Sequence, residues 1–177
     1  SKTTMHNFIL SIFFLFNLSL AIAQENESRG YIVKVGDKAP SFTANLTDGN
    51  VLSLAELKGK VVMLQFTASW CKVCRQEMPI IEEEIWQVQK EKGLVIVGID
   101  RDEPLEKVIE FGKKMKVTYP LALDPNADIF GLYAHKKSGI TRNVIIDKNG
   151  KIAYLTRLFE RNEFNEMKTV INNLLIK

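Results

Sequence analysis

Cysteine is scarce in this chain of 177 residues: Cys71 and Cys74 are the only two. A single pair three residues apart cannot clamp distant segments together, as the bridges of small exported domains do. A bridge between them would close a loop too small to add much stability through chain entropy. The pair is also only half of a tetrahedral zinc site, and no second half exists. Histidine is as scarce, with His6 near the start and His135 in a lysine-rich stretch. No metal and no other cofactor is therefore expected. Charge of one sign is lacking too. The formal net charge is +3, and the basic residues are scattered apart from the short runs Lys113-Lys114 and Lys136-Lys137. That balance excludes an electrostatic footprint for nucleic acid. No repeat or low-complexity segment is present. With 46% apolar and 25% charged residues, the chain has an ordinary globular composition and enough length to bury its own core.

The one long apolar run lies at the start. Residues 8–23 read FILSIFFLFNLSLAIA without a charge and end in the small-x-small pattern Ala21-Ile22-Ala23. This is the pattern of a secretory signal peptide, and the run is short for a membrane span of about 20 residues. Residues 1–23 are expected to be the leader, 24–33 a flexible segment, and 34–177 the folded domain. The mature protein is expected to be periplasmic or secreted. If the leader stays uncleaved, it would be a membrane anchor with the domain facing the periplasm. No cysteine stands near the cleavage pattern, so attachment through a lipid-modified cysteine is excluded.

Val61–Phe66 and Leu94–Ile99 are nearly continuous apolar runs, as in strands covered on both faces. Between them a helix is expected from Cys71, with Met78, Ile81, Ile85 and Val88 on one face and a kink at Pro79. A second helix is expected after Pro104, burying Leu105, Val108, Ile109, Gly112 and Met115. A short extended piece follows at Tyr119–Leu123. Asn143–Ile146 and Ile152–Leu155 flank Asp147-Lys148-Asn149-Gly150, a hairpin signal. A last helix starts near Glu160. Helices between strands imply parallel pairing, and the hairpin adds an antiparallel edge. The expected fold class is therefore α/β, a mixed central sheet with helices on both faces. An N-terminal extension of short strands turns at Asp48-Gly49-Asn50.

Cys71 directly follows a buried strand and opens a helix. Its sulfur would lie among unpaired backbone N–H groups at the positive end of the helix dipole. Lowering a cysteine pKa from about 8.5 to about 7 corresponds to roughly 2 kcal/mol of thiolate preference. Cys74 lies one turn on, within bridging distance. Cys71 is then expected to attack a target disulfide and Cys74 to resolve the mixed disulfide. Trp70 would shield the pair on one side. A thiol peroxidase is an alternative. Its pattern, however, has a proline seven residues and a threonine three residues before the cysteine, where this chain has Leu64 and Ala68.

Several stretches resemble the TlpA/ResA-type thiol-disulfide oxidoreductases, relatives of the redoxin and AhpC/TSA group in the thioredoxin superfamily. They are residues 35–42 (VGDKAPSF), 52–54 (LSL), 57–66 (LKGKVVMLQF), 68–79 (ASWCKVCRQEMP) and 145–150 (IIDKNG). The resemblance implies a thioredoxin-like fold over residues 34–177, with Cys71 as the exposed nucleophile and Cys74 as the resolving thiol. It associates Glu77 with proton handling near the thiols. A solvated helix residue complementing the dipole is the other reading of Glu77. The residues expected to face a substrate are Trp70, Lys72, Val73, Thr141 and Arg142. Family members reduce disulfides of exported proteins, often apocytochrome c, and receive electrons from a membrane thiol donor.

The chain departs from that pattern in three ways. Gln65 stands where thioredoxin carries a buried acid, which leaves Glu77 as the candidate acid. Lys72-Val73 replaces the usual intervening pair, and Lys72 should favour the thiolate. Gly139-Ile140-Thr141-Arg142 stands where a cis-proline is typical. A cis bond before a non-proline residue costs about 2.5–4 kcal/mol, so a trans Ile140–Thr141 bond is expected. Thr141 would then be presented towards Cys71, with the Arg142 guanidinium either beside it or, in the other reading, pointing to solvent. The missing proline also leaves open a thioredoxin-fold binding module that has lost turnover.

Overall fold

The apolar run Val61–Thr67 forms the middle strand of a five-stranded sheet in the computed structural model of the chain, which describes residues 28–177. The expected leader, and residues 24–27 of the segment after it, lie outside the described residues. The strands of this sheet are β3 (Val61–Thr67), β4 (Leu94–Arg101), β5 (Leu121–Asp124), β6 (Arg142–Ile146) and β7 (Ile152–Arg157), in the order β5-β4-β3-β6-β7. β3 pairs with β4 in parallel and with β6 antiparallel, and every residue of β3 is buried. Strands covered on both faces have no polar alternation, which is why the run reads as continuously apolar. A smaller antiparallel pair, β1 (Thr43–Asn45) and β2 (Val51–Ser53), precedes the sheet.

Helix α1 (Lys72–Ile81) joins β3 to β4, α2 (Leu105–Met115) joins β4 to β5, and α4 (Arg161–Leu175) closes the chain. Both parallel crossovers step the same way along the sheet, so both helices fall on one face. There Met78, Ile81, Ile96, Phe111, Phe164, Met167 and Ile171 make one core. The other face is covered by the N-terminal segment and by the short helix α3 (Phe130–Tyr133), through Phe42, Phe66, Val97, Ile99, Phe130 and Tyr133. The fold is the expected α/β one, a mixed sheet with helices and a two-stranded N-terminal extension.

Three local expectations are corrected. Val88 is exposed, and Gln89 is buried in its place. After α1 the helix continues as a π-helical turn, Glu82–Trp86, whose extra residue rotates the apolar face out of the 3.6 period. In α2 it is Phe111 that is buried, while Leu105 is exposed at the helix start. Residues 28–33, expected to be loose, are tied to the body. Ile32 N donates to Tyr133 O (2.9 Å) and His135 N to Gly30 O (3.0 Å). The buried Tyr31 hydroxyl donates to Thr156 O (2.6 Å). Tyr31 supplies the apolar anchor that the polar composition around it conceals.

Candidate active site

The centre forms where β3 ends and α1 begins. Cys71 is the N-cap of α1, with extended φ −86° and ψ 109°, and its Sγ accepts from Cys74 N at 3.1 Å. A cysteine sulfur thus occupies the place that a serine or aspartate oxygen takes in an ordinary cap. Cys71 and Cys74 are joined in a disulfide with their Cα atoms 5.3 Å apart. Cys74 is fully buried, whereas Cys71 keeps 7% of its surface. Trp70 beside them is 59% exposed, Lys72 is exposed, and Val73 is half-buried against the core.

Thr141 faces the pair from the connection into β6. Its buried hydroxyl lies 3.3 Å from Cys71 Sγ and 3.0 Å from Cys74 Sγ. The disulfide sulfurs carry no hydrogen, so the hydroxyl is the donor. The Ile140–Thr141 bond is cis, which corrects the expectation of a trans bond. Local sequence does not reveal what holds this connection. Arg157 Nη1 donates to Ile140 O (3.3 Å), and Leu158 N donates to Thr141 O (2.9 Å), both from the adjoining end of β7.

Arg142 is also corrected. It is neither substrate-facing nor solvated, being 1% exposed as the first residue of β6. Its guanidinium lies 4.6 Å from the Tyr31 ring centre, and its Nε donates to Gly139 O at 2.9 Å. Side chains alternate along a strand, so Thr141 at the sulfurs turns Arg142 away from them. Burial pulls the Arg142 guanidinium below its ordinary value, and Nη1 has no hydrogen-bond partner.

Glu77 is not a solvated helix residue. It lies one turn beyond Cys74, is 1% exposed, and accepts from Asn143 Nδ2 through Oε1 at 2.6 Å. Burial pushes its carboxyl up to about 8, against the opposing amides of Asn143 and Gln65. A carboxyl with that affinity is protonated at neutral pH and can exchange its proton in the working range of a thiol. Gln65 of β3 stands directly opposite Asn143 of β6, and its Oε1 accepts from the Tyr119 hydroxyl at 2.8 Å.

Two further acids lie near the centre that the sequence alone does not single out. Glu103 accepts from Ser69 N (2.7 Å) and from Ser69 Oγ, and Asp100 is buried beside it at the end of β4. The signal was there in Asp102-Glu103-Pro104. An acid before a helix reads simply as dipole complement, however.

Residues 34–171 match the Redoxin family model. The thiol-disulfide oxidoreductase ResA of Bacillus cereus is 36% identical over 120 residues, which cover 68% of each chain. A solution structure of a candidate protein disulfide isomerase from Bacteroides thetaiotaomicron is 58% identical. It superposes with a TM-score of 0.81 over 84% of this chain and 94% of its own. A crystal structure of a candidate thiol:disulfide interchange protein DsbE from Chlorobium tepidum is 28% identical. Its TM-score is 0.70, with 81% of this chain and 99% of that one covered.

Proposed function

The chain belongs to the Redoxin family as a thiol-disulfide oxidoreductase, and from that premise we propose that it reduces disulfides of exported proteins through Cys71 and Cys74. The observation that carries this reading is the unequal burial of one bridged pair. Cys71 has an accessible edge at a helix N-terminus, and Cys74 is sealed one turn deeper. Only the first sulfur can meet a large substrate, and only the second can resolve the product.

In the proposed reaction the Cys71 thiolate attacks one sulfur of the target disulfide, and the other target sulfur leaves as a thiolate. Cys74 then attacks Cys71 Sγ, which forms the Cys71–Cys74 bond and releases the second target sulfur. Two electrons pass to the target, and the thiols supply its two protons. The Cys74 N–H and the Thr141 hydroxyl both point at the Cys71 sulfur and favour its thiolate. Glu77 is proposed to hold and return the proton that the buried Cys74 must lose. Trp70, Lys72 and Val73 form the rim that a target chain would touch.

Delivery outside the cytoplasm is supported by the signal-type leader at residues 8–23. The resemblance to ResA supports exported disulfide proteins, apocytochrome c among them, as targets, and a membrane thiol donor as the electron source. The test is insulin reduction with dithiothreitol, together with the potential of the Cys71–Cys74 couple. Turnover that is lost in Cys71→Ser, with a potential nearer about −270 mV than about −120 mV, supports a reductant. Absence of turnover in the intact protein would turn the reading to a binding module. A potential near the upper value would reverse the direction of electron flow.

A further inference from the structure

Ser69, two residues before Cys71, has no free polar atom. Its N–H and hydroxyl both donate to the Glu103 carboxylate, and its carbonyl accepts from Arg75 Nη1 at 2.6 Å. Glu103 comes from the connection between β4 and α2, and Arg75 from the first turn of α1. The turn that presents Trp70 and Cys71 is thus gripped from two other elements. Asp100 lies beside Glu103, opposite Thr67 of β3 and Leu123 of β5 in register. It is fully buried, and its carboxyl finds a hydrogen-bond partner only in that of Glu103.

We propose that Glu103 is a positioning residue for the Ser69–Cys71 turn, and that Asp100 beside it stays protonated so that the two carboxyls carry a single charge. The proposal rests on Cys71 being the attacking thiol. Both oxygens of Glu103 are acceptors for Ser69, so the one proton of the pair belongs on Asp100. Burial, then Glu103, then Asp102, push the Asp100 carboxyl up to about 9. The other charged groups around the pair do not offset this. Arg75 of α1 is spent on the Ser69 carbonyl, and Asp102 pairs with Arg101 at 2.7 Å. Lys107, Glu110 and Lys114 of α2 line an open cleft together with Ser69 and Arg75, and neither Glu103 nor Asp100 lines it. Asp124 at the end of β5 accepts from Ile129 N and Phe130 N. Ionising Asp100 would place a second buried negative charge against Glu103, and the repulsion would loosen its hold on Ser69.

The test uses the full domain in a Trp86→Phe background, where Trp70 is the sole tryptophan. Trp70 emission is followed from pH 6 to 10 in the disulfide form, whose sulfurs do not titrate. Glu103→Gln can no longer accept both Ser69 donors. It should shift Trp70 emission at pH 7 and, in the reduced protein, slow Cys71 alkylation about tenfold, the size of one charge-assisted hydrogen bond. Asp100→Asn mimics the protonated acid. It should keep the pH 7 emission and lose an alkaline transition near pH 9 that the parent shows, while the Glu77 transition stays in both. If Glu103→Gln does not fold by circular dichroism, Ser69→Ala, which removes only the hydroxyl donor, should give a smaller shift in the same direction. Unchanged emission and alkylation in Glu103→Gln, or in Ser69→Ala if that variant is needed, would overturn the positioning role. An Asp100→Asn spectrum altered at pH 7 would overturn the proton assignment. Loss of insulin reduction in the parent would count against the proposed function, but the emission data would still decide on the Ser69–Glu103 grip.

Discussion

The Thr141 hydroxyl oxygen lies 3.0 Å from the Cys74 sulfur and 3.3 Å from that of Cys71, so one side chain from the β6 connection touches both ends of the bridge. In the oxidised protein it donates to a neutral sulfur, a weak interaction. Once the bridge opens and Cys71 ionises, the same hydroxyl meets a charged acceptor, and the bond strengthens. Its contribution therefore falls selectively on the reduced, thiolate state.

Thr141→Val keeps the shape and removes the donor. The Cys71 pKa should rise by roughly one unit, the equivalent of one hydrogen bond to a charged group. Iodoacetamide reactivity measured against pH would show the alkylation midpoint moving up, with an alkylation rate several-fold lower at pH 7. An unmoved midpoint would mean that the Cys74 N–H and the helix terminus hold the thiolate by themselves.

Glu77 gives a prediction about stability. Its proton affinity in the folded protein exceeds the unfolded one, near 4.5, because burial disfavours the carboxylate. The sign follows directly. The folded state binds the extra proton between those values, so stability is full below about 4.5 and falls as the pH rises through about 8. Glu77→Gln should flatten that slope and make the oxidised protein more stable than the parent at pH 9, by a few kcal/mol at most. Urea titrations at pH 5, 7 and 9 measure it. Asp100 adds a slope of the same sign up to about 9, which Glu77→Gln leaves in place. Equal stability of parent and variant at pH 9 would mean that Glu77 ionises without penalty and is a poor proton store.

The sheet and the dithiol were legible because their signals are local. β3 and β4 are apolar runs, the hairpin turn is Asp147–Gly150, and the cysteine spacing is one helical turn. What stayed hidden depends on pairs far apart in sequence. Nothing near Glu77 says that Asn143 will close over it. The Asp102-Glu103-Pro104 stretch looks like a helix start whether or not Ser69 is waiting for it. Arg142 reads as a surface or site residue because the ring that covers it, Tyr31, lies at the other end of the domain. The slipped face at Val88 has a different cause, a π turn within the helix that a strict 3.6 period cannot anticipate.

Arg142 supplies the last prediction. Its guanidinium is buried against Tyr31, Nη1 lacks a partner, and Arg157 and Arg29 add like charge nearby. Even a buried ion pair can often be replaced by apolar residues of similar volume with no loss or a gain of about 1–4 kcal/mol, and a buried charge without an acid partner has less attraction to lose. Arg142→Met should therefore match or exceed the parent in urea stability. Arg142→Ala should lose roughly 2–4 kcal/mol, because the long stem fills space beside Tyr31 and its removal opens a cavity. Neither change should move the Cys71 pKa by more than about 0.3 units, since Thr141 and not Arg142 faces the sulfurs. If Met were as damaging as Ala, the cation over Tyr31 and its bond to Gly139 would be holding the site connection. If the Cys71 pKa rose in both, the charge of Arg142 would reach the thiolate despite pointing the other way.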